Sequence, residues 1–270
     1  MTLCIAALCK EAIPTASCIV LCFDSKVATE SFASETEHTF HVLSNRIMAL
    51  AADRPGRARE LAGIFRDHLS TVQITDSNLL DVLREPLQKF KRKIAAAYVG
   101  RKLGLSYQEF LDHGLAWFGQ DAFDKYRRDI EDNPLGVEMA IAGFIDEDPF
   151  IAELRNGEIE RVTNFSLIGT GAYTAEPALH AREQNPNTPL PEALYSVYEA
   201  KKIAETSPYV GKETRMYVLR PSDPGSEKLR VSVLGNIGLE LLEQRFKEYG
   251  PRPLPPVLTL PSDAFIAGLY

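Results

Sequence analysis

No stretch of this 270-residue sequence is apolar for the roughly 18 residues that a membrane-crossing helix needs. The first residues also lack the basic n-region and small-residue cleavage site of a secretory leader, and Lys10 interrupts their apolar run. A cytoplasmic protein is expected, with no membrane partner. Positive charge is in deficit as well: 30 Lys and Arg against 37 Asp and Glu give a net charge of −7. Binding to a phosphate backbone needs a surplus of cations, so no nucleic-acid partner is expected. Cysteine is scarce, and Cys4, Cys9, Cys18 and Cys22 all fall within the first strand-like segments. Their spacings match no zinc pattern, and a reducing compartment leaves them as small buried hydrophobes. No metal or organic cofactor is expected.

The remaining composition, 45% hydrophobic and 25% charged, suits a globular chain long enough to bury a sizeable core. The segments "TLCIAAL" and "CIVLCFDSKVA" read as strands joined through Pro14 into a hairpin, and "HTFHVLS" and "RIMALAA" read as two further strands broken at Asn45. Ala58, Leu61, Ala62, Phe65 and Leu69 recur at helical spacing. A second helix is expected to start at Asp76 or Ser77, to kink at Pro86 and to stop at Gly100. Residues 101–134 read as a helical insertion of two short helices. Then come strand signals in "GVEMAIAGFID", "PFIAELRNG" and "EIERVTNFSLIG", read as an antiparallel meander, followed by two helices, two strands, a last helix and a proline-rich arm over about 250–270. Two antiparallel sheets packed face to face, with helix pairs on both outer faces, satisfy this order and make the chain a single α+β domain.

"TLCIA", "VLCFDSKVAT", "IMALAADRPGRARELAGIF", and "MAIAGFID" with "SLIGTGA", in this order and spacing, resemble the proteasome β-subunit family of N-terminal nucleophile hydrolases, including its bacterial proteasome-like branches. The resemblance runs from Thr2 to about Leu219, outside the insertion. It implies a four-layer αββα sandwich and a homo-oligomer built as a ring or a stacked assembly. Nothing in the sequence assigns a regulatory ATPase to it.

The resemblance also gives the chain start a chemical meaning. A threonine hydroxyl is a poor nucleophile until a base takes its proton, and an N-terminal threonine carries that base as its own α-amine, which titrates near 7.7 to 8.0. Met1 is expected to be removed, since initiator methionine is trimmed before a residue as small as Thr2. The alternative reading of Thr2 is a β-former opening an edge strand. Asp24 falls on the family's acidic partner of the nucleophile, and Lys26, two residues on, is expected on the same strand face. There a cation would hold the Thr2 amine neutral; two solvated charges are the alternative. The family's lysine on the next strand has no counterpart, because no lysine lies between Lys26 and Lys89. The nearest register places His38 there, or Thr39, so Lys26 or a protonated His38 would supply the charge.

By the same resemblance the backbone N–H of Ala52 is the oxyanion donor, Thr170 supports the nucleophile, and Ser207 lies near the family's second acidic position. Val27 and Leu50 would shape an apolar substrate pocket, although each also reads as a core residue. The implied function is threonine-type cleavage of a peptide or amide substrate through an acyl-enzyme on Thr2. A catalytically inactive assembly protein and a small-molecule amidase are the alternatives.

Overall fold

The structure is a computed structural model. It describes residues 2–11, 16–24, 26–28, 33–35, 39–222, 226, 228–251 and 265–267, with the backbone alone for 26–28, 33–35 and 265–267. Among them are two large antiparallel sheets and seven helices.

The first sheet grows from the hairpin of β1 (Cys4–Lys10) and β2 (Ser17–Phe23), paired from Cys4↔Phe23 to Lys10↔Ser17. Beside β1 lies β10 (Phe165–Ile168); beyond β2 lie β11 (Arg215–Arg220), β12 (Arg230–Leu234) and β13 (Phe265–Ala267). The second sheet is a strict meander of β5 (Phe40–Ser44), β6 (Ile47–Asp53), β7 (Val137–Ile145), β8 (Asp148–Arg155) and β9 (Glu158–Val162). A separate two-stranded sheet pairs β3 (Lys26–Ala28) with β4 (Ala33–Glu35).

Strand alternation sorts the side chains into three cores. Leu3, just ahead of β1, with Ile5, Ala7, Cys18, Val20 and Cys22 on β1 and β2, packs beneath α5 (Ala172–Ala181), α6 (Leu190–Ala204) and α7 (Asn236–Tyr249). The intervening Cys4, Ala6, Ile19, Leu21 and Phe23 face Met48, Leu50, Ala140, Ala142 and Ile151 of the opposing sheet. That sheet's other face, with Ala49, Met139 and Ile141, is covered by α1 (Pro55–Leu69) and α2 (Leu79–Leu103). The layers therefore run helix, sheet, sheet, helix, as the hydrophobic periodicities require.

Three local expectations change. "EIERVTNFSLIG" is two strands: the chain leaves the meander after Val162 and crosses at Thr163–Asn164 into the other sheet, where β10 pairs with β1. Helix α2 begins at Leu79, because Asn78 accepts the Thr75 N–H at 2.7 Å in a preceding turn and Asp76 is engaged by Arg161 at 2.5 Å. It runs unbroken past the buried Pro86 and through Gly100, ending at Gly104, whose φ of 69° is left-handed.

The insertion carries α3 (Tyr107–Phe118) and α4 (Gln120–Glu131). Helix α3 opens with a reciprocal capping box: the Ser106 hydroxyl accepts the Glu109 N–H at 3.1 Å, and the Glu109 carboxylate accepts the Ser106 N–H at 2.8 Å. Ser106→Ala is expected to cost about 1 kcal/mol in urea denaturation; no change would mean that α3 is held by its packing alone. Residues 252–264, most of the expected arm, lie outside the described residues, while Phe265–Ala267 pairs with β12.

Candidate functional site

Thr2 precedes β1, and Asp24 follows β2, so the antiparallel register that pairs Cys4 with Phe23 brings them side by side. Both are buried, Thr2 at 5% exposure and Asp24 at 0%. The Thr2 Oγ1 donates to Asp24 Oδ1. The other carboxylate oxygen, Oδ2, accepts the backbone N–H of Gly211 at 2.7 Å, and the Asp24 N–H donates to the Leu3 carbonyl at 3.3 Å. Burial pushes the Asp24 carboxyl pKa up, while the Thr2 hydroxyl, the Gly211 N–H and the charge of Lys201 pull it back.

That balance has a consequence for stability. Folded Asp24 holds its proton to higher pH than a free carboxyl does, so in this window the folded state binds more protons than the unfolded chain. Its contribution to stability is full below the unfolded value near 3.9 and is lost as pH rises through the raised folded value. Asp24→Asn removes this dependence. The unfolding free energy of the wild type relative to D24N is therefore expected to fall as pH is raised from about 4 toward neutral; a flat difference would contradict the burial argument.

Lys201 was not anticipated from the sequence. It is fully buried on α6, where its Nζ donates to the Gly211 carbonyl at 2.9 Å and to Glu205 Oε1. Burial pushes its pKa down and the Glu205 contact pushes it up. Gly211 thus gives its N–H to Asp24 and its carbonyl to Lys201. The signal in the sequence is the near-continuous apolar and small-residue run "ALYSVYEA" ahead of "KK", which marks a helix buried on most sides. A lysine on such a helix needs a partner.

On the opposite side, the turn from β10 to α5 packs against Thr2. Gly169 has φ of 88°, and a Cβ there would collide with the Thr2 carbonyl oxygen. The Gly169 N–H donates to Glu138 Oε2 at 2.8 Å, which ties this turn to β7. Glu138 also lines a cleft of about 620 Å³ shared with Asp53, Lys91, Tyr107 and Asn133.

The other residues singled out in the sequence are more dispersed. Lys26 does not share a strand with Asp24: β2 ends at Phe23 and Lys26 opens β3, so alternation cannot align them. The side chains of Lys26 and Val27, and all of Met1 and His38, lie outside the described residues. Thr39 is buried, and its carbonyl accepts the Ala51 N–H at 2.8 Å. Ala52 pairs with Glu138, and the Arg54 N–H bonded to the Gly136 carbonyl sets the phase of that ladder. The Ala52 N–H therefore points at the Glu138 carbonyl, which commits it to the sheet rather than to an oxyanion. Leu50 lies in the inter-sheet core. Thr170 is exposed at the tip of the turn between Gly169 and Gly171. Ser207 is half-buried; its carbonyl accepts the Val210 N–H at 3.2 Å, shaping the loop that delivers Gly211.

Cys4 and Cys22, which lie near Asp24, are not nucleophiles in this setting. Burial pushes Cys22 up to about 12 and Cys4 well above the ordinary thiol range, so neither supplies thiolate near neutrality. Comparison of the chain with protein-family models and with curated proteins found no match in either.

Proposed function

We propose that this protein is an N-terminal threonine hydrolase of the proteasome β-subunit type, which cleaves peptide or amide bonds through an acyl-enzyme on Thr2. The observation that carries the reading is the buried hydrogen bond from Thr2 Oγ1 to Asp24, a carboxylate fixed in turn by Gly211. A threonine that merely opened a strand would have no need of a buried carboxylate on its hydroxyl.

With Met1 removed, the Thr2 α-amine accepts the Oγ1 proton as Oγ1 bonds to the substrate carbonyl carbon. The tetrahedral intermediate collapses by expelling the amine of the scissile bond, which takes its proton from the Thr2 ammonium. Water then attacks the ester, the Thr2 amine again serving as base, and the acid product leaves with Oγ1 reprotonated. Asp24 orients the Oγ1 hydroxyl in the free enzyme, before attack and again once Oγ1 is reprotonated. The cytoplasmic setting and a ring or stacked homo-oligomer belong to the same proposal.

A second reading, an assembly protein without turnover, draws on the low exposure of Thr2 and on the commitment of the Ala52 N–H to the sheet. A peptide epoxyketone separates the two, because it forms a ring with both the hydroxyl and the free amine of a terminal threonine. Intact mass after treatment is expected to rise by one inhibitor per chain. An unmodified mass, with the protein folded, supports the assembly reading.

A further inference from the structure

We propose that Lys201 is the positioning residue of this site: a buried cation on α6 that, across Gly211, keeps the Asp24 carboxylate ionised and turned toward Thr2. The inference rests on the hydrolase reading only for its catalytic consequence.

Three observations carry it. First, Lys201 has no exposed surface, and burying an ammonium is costly unless its charge is balanced nearby. Second, its nearest carboxylate is shared: Glu205 accepts from Lys201 through Oε1 and from Lys202 through Oε2, the latter at 2.7 Å. Lys201 and Lys202 of α6 share one carboxylate, that of Glu205 just past the helix end, which leaves one positive charge over in this group; of the two lysines Lys201 is the one wholly removed from water, with Lys202 at 22% exposure. Third, the Lys201 ammonium and the Asp24 carboxylate grip the same residue, at 2.9 Å on the Gly211 carbonyl and 2.7 Å on the Gly211 N–H. Ionised Asp24 brings the group of four to neutrality.

The other titratable groups facing this cluster do not supply that charge. Cys22 on β2 stays a thiol, pushed up to about 12 by burial, and Tyr198 on α6 stays a phenol, its pKa raised by burial. Glu243 on α7 is paired with Lys247 at 2.9 Å, and its weaker pull reaches Lys202 rather than Lys201. Lys201 thus brings a buried cation to Asp24 from the helix layer, across Gly211.

The test follows the Asp24 carboxyl itself, by ¹³C NMR of Asp-labelled protein with D24N used for assignment. The Asp24 midpoint is expected to move to higher pH in K201M and in K201Q, which still offers a donor to the Gly211 carbonyl, and to stay in place in K201R. In the unsubstituted protein the Lys201 ¹⁵Nζ resonance should shift at the pH where Asp24 protonates. A midpoint unmoved in folded K201M or K201Q overturns the proposal; so does a Lys201 resonance indifferent to Asp24, which needs no variant. The epoxyketone reports separately. Failure to label the wild type sinks the hydrolase reading and leaves the titration result standing, whereas successful labelling should show its acidic limb moving with Asp24 in K201M.

Discussion

Thr2→Ala is expected to abolish epoxyketone labelling and to lower amide hydrolysis by at least about 10³-fold, while Thr2→Ser keeps both. Alanine and serine are as small as threonine, so Met1 removal and the α-amine are retained in both variants. The comparison therefore isolates the hydroxyl. Alanine also deprives Asp24 of its Oγ1 donor, a loss of about 1–3 kcal/mol for a buried acceptor, so the fold should survive while the chemistry goes. A T2A protein that still hydrolyses amides at the wild-type rate would place the nucleophile elsewhere.

The second large effect is expected at Gly169, which touches no substrate in the proposed cycle. Its φ of 88° disfavours any L side chain, and a Cβ there would meet the Thr2 carbonyl. Left-handed backbone costs about 1–2 kcal/mol and overpacking a further 1–3, so Gly169→Ala is expected to lose about 2–5 kcal/mol in urea denaturation. Because relief comes only by displacing Thr2 or the turn held by Glu138, labelling at Thr2 should fall in the protein that remains folded. Gly63→Ala is the control: it lies within α1 with open space around its Cβ position, and it should be neutral or stabilising by up to about 1 kcal/mol. A G169A protein as stable as the G63A control would show that the turn does not brace Thr2.

What the sequence made legible follows from the range of the interactions. Local periodicity reads the β1–β2 hairpin, the meander and the helix pairs, because each is decided by side-chain alternation or by a helical stripe within a dozen residues. The crossing at Thr163–Asn164 is invisible to that logic: "EIERVTNFSLIG" alternates well enough for one strand, and only the wider sheet arrangement sends its second half to β1. Asp76 and Gly100 are reasonable helix boundaries in isolation, but Arg161 engages the first and continued packing of α2 carries the helix past the second.

The site divides along the same line. Thr2 and Asp24 sit at the open end of one hairpin, so their meeting follows from its register. Gly211 reaches Asp24 across 187 residues of sequence and brings Lys201 with it; no local pattern encodes that approach. The expected alignment of Asp24 with Lys26 assumed one continuous strand; β2 ends at Phe23 and β3 opens at Lys26, so that two-residue alternation does not apply, and the Lys26 side chain lies outside the described residues.

The most direct measurement is the mass of the N-terminal peptide of the purified protein. The expected peptide begins at Thr2 with an unmodified α-amine, available to accept the proton of its own hydroxyl. A peptide that retains Met1 in the mature protein would leave Thr2 with an amide nitrogen and no base, and would contradict the central claim.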